Sequence, residues 1–212
     1  MELTKHGHAC VVLSDGDRRL LIDPGAFTAD AAWEGAGALL ITHEHFDHFV
    51  PDKVRAALES DPALEVWTNA SVAGQLEGLG GRVHTVGRGD AFTAAGFDVS
   101  VHGEWHAVIH PDIPRIPNVG FLVDGQVFHP GDALTVPEVA APTLLLPAHA
   151  PWSKLGELID YLREVRAERA YGVHDALLSE LGQAGVAGLL GERGPGTPVP
   201  YTRLATGESV AV

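Results

Sequence analysis

A single cysteine, Cys10, stands in the 212-residue sequence, which excludes a disulfide within the chain and any cysteine-rich zinc site. Basic residues are scarce as well: 14 Lys and Arg face 28 Asp and Glu, for a net charge of −14. A field of that sign repels nucleic acid and anionic membrane surfaces, and no Lys/Arg-rich arm or clustered basic helix offsets it. No apolar run nears the ~18 residues of a membrane span, and the opening Met-Glu-Leu-Thr-Lys-His lacks an apolar signal core. These absences point to a cytoplasmic chain with no membrane or nucleic-acid partner. At 45% hydrophobic and 20% charged residues, the composition is that of an ordinary folded domain. No linker interrupts it, and the expectation is one domain over 1–212. What the sequence has in excess is histidine, 12 in all, which with few thiols favours metal ligation through nitrogen and carboxylate.

Apolar runs, turn signals and periodicity outline the elements. Strands are expected at 10–14, 19–22, 38–41 and 65–68, then at 97–102, 119–123, 126–128, 143–146 and 170–173. Helices are expected over 51–60, with Pro51 at the start, over 71–79, over 154–165, and over most of 175–190, where Gly182, Gly185 and Gly188 weaken the pattern. A Gly/Pro-rich stretch, 191–200, leads to an edge strand. The order strand, Asp-Gly, strand, Pro-Gly occurs at Val11 to Gly25 and again at Gly120 to Gly131. Each copy continues into an apolar triplet, Leu39-Leu40-Ile41 or Leu144-Leu145-Leu146, a His-bearing loop and a helix. The agreement of landmarks predicts an internal duplication: two sheets packed face to face, helices outside, and loops of both halves meeting at one edge.

The strongest chemical signal is His43-Glu44-His45-Phe46-Asp47-His48, four potential ligands in six residues between a strand and a helix. His43 and His45 can share one metal, Asp47 and His48 can splay toward a second, and Glu44 alternates away from both. With its flanks, Thr42 to His48 resembles the His-x-His-x-Asp-His signature of the metallo-β-lactamase superfamily. The resemblance spans residues 8 to 174 and implies an αββα four-layer sandwich of two pseudo-repeated halves. It implies His43, His45 and His106 as ligands of one ion and Asp47, His48 and His174 as ligands of the other. Asp132 would bridge the two, and Asp23 would support the site. The opening His6-Gly7-His8-Ala9 and the short length resemble the ascorbate-6-phosphate lactonase-like branch, with His8 near the metals.

The implied activity is hydrolysis of an ester, lactone or phosphoester small molecule by a metal-bound hydroxide, with Asp47 orienting it. Two divalent ions are implied, zinc first and manganese or iron as alternatives. The competing activities on this scaffold are an iron-dependent oxidoreductase and a nuclease or phosphodiesterase; the oligomeric state is open. His110 competes with His106 as third ligand. His102 shares a strand face with His106, His129 is read as supporting or structural, and His84 as structural. Trp105, Arg115 and Trp152 adjoin the ligands on loops, and Cys10 is read as a buried apolar residue. By the duplication, Ala148-His149-Ala150 sits where His43-Glu44-His45 sits in the other half. His149 is therefore expected at the pocket mouth as a catalytic acid whose loss spares the metals but lowers turnover.

Overall fold

The computed structural model describes residues 1–191, 194–195, 197 and 199–212. The first half supplies β1 (Glu2–Lys5), β2 (Val11–Asp15), β3 (Arg18–Ile22), β4 (Ala38–Ile41), β5 (Glu65–Thr68) and β6 (Val83–Thr85). The second supplies β7 (Ala91–Ala94), β8 (Phe97–His102), β9 (Gly120–Val123), β10 (Val127–His129), β11 (Thr143–Pro147), β12 (Arg169–Val173), β13 (Tyr201–Arg203) and β14 (Ser209–Ala211). Four α-helices accompany them: α1 (Pro51–Ser60), α2 (Ala70–Gln75), α3 (Leu155–Val165) and α4 (Glu180–Leu190).

Among the described residues the strands form two seven-stranded sheets, β14-β1-β2-β3-β4-β5-β6 and β13-β12-β11-β10-β9-β8-β7. The duplication is visible in the sense of every pairing. β1, β2 and β3 run antiparallel in succession and β3 to β6 parallel. β8, β9 and β10 are likewise antiparallel and β10 to β13 parallel. β14 closes the first sheet beside β1 as β7 closes the second beside β8. The helices repeat too, α1 and α3 following β4 and β11, α2 and α4 following β5 and β12.

Strand alternation builds the layers. Ala38 and Leu40 of β4 and Leu145 of β11 enter the core between the sheets, with Val99, Phe121 and Val123. Leu39 and Ile41 face Val54 and Leu58 of α1 on the outside. Leu144 and Leu146 face Leu158, Tyr161 and Leu162 of α3. Burial on both faces is why these strands read as unbroken apolar triplets. The result is the αββα sandwich. Cys10 lies buried in its outer core, where burial pushes the thiol pKa up to about 12 and leaves it chemically inert. No helix of the described residues is long and apolar enough to cross a membrane.

Three expected elements change. The helix over 175–190 begins only at Glu180, capped by the Ser179 hydroxyl, which accepts from the Gly182 N–H at 3.2 Å. The segment 175–178 is taken out of the helix by long-range bonds described below. The helix after β5 is also shorter, ending at Gln75, and its start is capped by Asn69, whose Oδ1 accepts from the amides of Ser71 and Val72. The edge strand expected at the end is two strands, β13 and β14, one on each sheet. Part of the expected loop over 191–200 lies outside the described residues.

Candidate metal centre

Parallel strands of a sheet collect function at their carboxyl ends, and here both halves deliver to one edge. Asp23 directly follows β3, His43 lies two residues past β4, Asp132 three past β10, and His174 directly follows β12. Two clusters result, His43, His45, His106 and Asp132, and His8, Asp47, His48 and His174. Within each, one ligand atom per residue lies within 4.8 Å of the others. Asp132 joins them: its Oδ1 is 3.1 Å from His48 Nε2, and its Oδ2 is 3.1 Å from His174 Nε2 and 3.4 Å from His106 Nε2.

Each imidazole is oriented by a bond made on its far nitrogen. Asp23 is fully buried and accepts three times: from the Thr42 amide, the Thr42 hydroxyl and His48 Nδ1, each at 2.7 Å. Because the Thr42 hydroxyl gives its proton to Asp23, it accepts from His43 Nδ1 at 3.0 Å. His106 Nδ1 donates to the Ala107 carbonyl and His174 Nδ1 to the His149 carbonyl, both at 2.6 Å. In these four rings the proton sits on Nδ1, so Nε2 turns a lone pair toward the centre. His45 presents Nδ1, 3.2 Å from His43 Nε2.

His8 is wired the opposite way. Its Nδ1 accepts from the Ala176 amide at 3.0 Å, so the neutral ring carries its proton on Nε2, 3.2 Å from Asp47 Oδ2. This ring offers Asp47 a donor rather than a lone pair. Long-range 1H–15N spectra should therefore show His8 protonated on Nε2 before and after zinc loading, while the other cluster histidines move on loading. Loss of the His8 Nε2 proton on loading would make it a ligand instead.

The inward atoms His48 Nε2, His106 Nε2, His174 Nε2 and Asp132 Oδ1 are buried and have no hydrogen-bond partner. Each such group costs about 1–3 kcal/mol when left unsatisfied, so their convergence on Asp132 is a donor set suited to divalent cations. The electrostatics of the metal-free centre divide these rings: two of them take up a second proton that a bound cation would replace. Burial holds the His43 pKa well below the ordinary value, and nearby His48 adds to the effect. Burial also opposes charge on His48 and His174, but Asp132 and Asp23 raise the first, and Asp132 and Asp47 raise the second to about 9. Although desolvation acts against them, Asp132 and Asp47 stay ionised because these imidazoles surround them.

The supporting residues come from further afield. Asn118 Oδ1 accepts from the Asp132 amide at 3.0 Å, and its Nδ2 donates to the Pro130 carbonyl at 2.9 Å. Trp152 Nε1 donates to Asp132 Oδ2 at 3.0 Å. Lys5, 2% exposed, pairs with Asp175 at 2.6 Å beside His174; burial lowers its pKa despite that partner. Asp175, bonded to Lys5, and Ala176, bonded to His8, are what draw 175–178 out of α4.

Of the competing histidines, His110 is exposed and lies 3.6 Å from Asp112, outside the clusters, whereas His106 is buried within one. His102 turns away to Ser100 and Glu138. His129 accepts from the Gly131 amide and bonds the Ala9 carbonyl, 3.8 Å from Asp23. His84 stacks on Trp67, and Glu44 accepts from Ser71 and Gln75, away from the centre. Arg115 donates to the His106 carbonyl. His149 contributes its carbonyl to His174, and its side chain is not among those lining the cleft over the clusters.

The chain matches the family model described as Beta-lactamase superfamily domain over residues 2–174. It belongs to the metallo-β-lactamase superfamily. It is similar to Protein Rv0786c of Mycobacterium tuberculosis, 40% identical over 185 residues that cover 84% of this chain and 86% of the relative. A UPF0173 metal-dependent hydrolase of Methanoregula boonei is 27% identical over 73% of this chain and 85% of its own. Among solved structures, Igni18, a metallo hydrolase of Ignicoccus hospitalis, shares the fold with a TM-score of 0.71 at 16% identity, over 99% of this chain and 97% of that one.

Proposed function

We propose that this chain, as one catalytic domain over 1–212, is a metal-dependent hydrolase that binds two divalent cations, zinc first, and cleaves a small-molecule ester or lactone. The observation that carries the reading is the set of unpartnered ring nitrogens that meet around Asp132. The similarity to the metal-dependent hydrolase of Methanoregula boonei and the resemblance to the lactonase-like branch support it. His43, His45 and His106 would hold one ion, Asp47, His48 and His174 the other, and Asp132 both.

When bound, such ions supply Lewis acidity and lower the pKa of water toward ~7. The chain's own groups do the rest. Asp47, fixed by the His8 donor, orients the attacking water. Trp152 holds the Asp132 carboxylate by its indole N–H, and the carbonyls of Ala107 and His149 keep His106 and His174 in the tautomer that faces inward. His149 acts in this scheme through its backbone.

Elemental analysis of purified protein should find two equivalents of divalent metal. His43→Ala should reduce the first site and His174→Ala the second, each leaving about one equivalent, whereas Asp132→Ala should disturb both. Equal loss of one ion in both histidine variants would indicate a mononuclear centre, and protein that binds no divalent metal would end the reading.

A further inference from the structure

The cleft over the two clusters has a volume of about 290 Å³, and its open wall is apolar: Phe27, Phe46, Ile109, Trp152 and Leu177 line it. These five side chains come from five different loops, those after β3, β4, β8, β11 and β12. Phe46 is 65% exposed, Leu177 58%, Phe27 43% and Ile109 40%. One exposed apolar side chain on a loop needs no explanation, but several from separate loops meeting over one polar centre mark a binding surface. Phe27 and Phe46 meet edge to face, with ring centroids 5.8 Å apart. Leu177 lies in the segment drawn out of α4.

The charge complement is equally specific. Among the described residues, no Lys or Arg lines this cleft. Arg115 and Lys154 line a neighbouring cavity beyond Trp152, where Arg115 is bonded to the His106 carbonyl and Lys154 to Glu157. A phosphate carried on the arm of the substrate, away from the metal ions, would be brought against aromatic rings with no side-chain cation to receive it, at a desolvation cost that apolar walls cannot return.

Resting on the hydrolase reading, we infer that the substrate is an uncharged carboxylic ester or lactone carrying an apolar acyl or aryl arm, and that the arm lies on Phe27, Phe46 and Leu177. Hydrolysis adds one water: its oxygen bonds the acyl carbon, the acyl C–O bond breaks, and the leaving oxygen takes a proton to give an acid and an alcohol. At about 30 Å³ per heavy-atom group, the cleft holds roughly ten such groups.

The test uses product-like probes on zinc-loaded protein. Straight-chain carboxylates from acetate to octanoate, and inorganic phosphate, are titrated by calorimetry with Trp152 fluorescence as a second readout. Affinity should rise up to about four-fold per added methylene, the ratio set by burying one CH₂, and phosphate, held by the metal ions alone, should bind independently of Phe46 and Leu177. Phe46→Ser with Leu177→Ser should flatten the series at unchanged zinc content, which reports an intact fold. A flat series overturns the inference. So does a concentration-dependent dimer abolished by Phe46→Ser, since the face would then be covered by a second copy. Turnover of the matching esters is measured separately. Chain-length-dependent binding without turnover removes the hydrolase reading but keeps the arm site, and turnover with a flat series does the reverse.

Discussion

Asp23→Ala is expected to destabilise the metal-free protein by about 3–5 kcal/mol, the cost of removing one partner from a buried charged network. The carboxylate is fully buried and takes the Thr42 amide, the Thr42 hydroxyl and His48 Nδ1 at 2.7 Å each. Alanine leaves all three donors buried and unpaired. It must also adopt the left-handed backbone of this position, φ 51°, which a β-carbon disfavours. Asp23→Asn separates stability from metal binding. Asparagine tolerates the left-handed region and still offers one oxygen to the Thr42 amide. Its amide group, however, is a donor facing His48 Nδ1. His48 then shifts its proton to Nε2, which points at Asp132, and the ring ceases to be a ligand. The Asn variant should retain most of its stability but lose about 10–100-fold in affinity for one metal, the usual effect of changing a ligand's outer partner. Urea midpoints and competitive chelator titration read the two quantities independently. An Asn variant with full metal affinity would show that His48 is not oriented through Asp23.

The parts of this site readable from sequence are those that act through local spacing. His43 to His48 packs its ligands between a strand and a helix, and the paired apolar triplets announced two equivalent sheets. The resemblance added Asp132 and His174 through their Pro-Gly-Asp and strand-end settings. The rest depends on where the backbone comes to rest. The choice between His106 and His110 rests on the loop after β8, which bonds His106 N to the Ile116 carbonyl and Ala107 N to the Asp132 carbonyl. No periodicity encodes those bonds. The inverted wiring of His8 needs an amide 168 residues away. The residues 175–178 carry a helical pattern, and the long-range bonds of Asp175 and Ala176 override it. Local preference gives way at the segment that builds the centre, the expected place for such a conflict. The duplication pointed to the His149 loop, and the bond from His174 Nδ1 to the His149 carbonyl is a backbone contact that no sequence pattern encodes.

Gly25→Ala is expected to empty at least one metal site while the sandwich remains folded. A β-carbon at Gly25 would lie 1.9 Å from the Asp47 carbonyl oxygen, 2.0 Å from the Asp47 carbonyl carbon and 2.5 Å from the His48 amide nitrogen. All three are backbone atoms, so no side chain can swing aside, and one of the two chain segments must retreat by more than 1 Å. The Pro24-Gly25 segment is pinned from behind by Asp23, whose amide bonds the Leu40 carbonyl. The 46–48 loop is thus the part that yields, carrying Asp47 and His48 with it. Displacement of a positioned group by about 1 Å is enough to lower turnover ~10²-fold, and here two of the three proposed ligands of the second ion move together. The core faces of β3 and β4 are not touched, so far-UV dichroism should be that of the wild type. Gly74→Ala provides the control. It lies in α2, where an added β-carbon meets nothing within 4 Å, and should leave metal content unchanged with stability equal or higher by up to about 1 kcal/mol. Elemental analysis after dialysis separates the outcomes: two equivalents retained by Gly25→Ala would mean that the 46–48 loop accommodates the methyl group and that its approach to Gly25 does not set the position of Asp47 and His48.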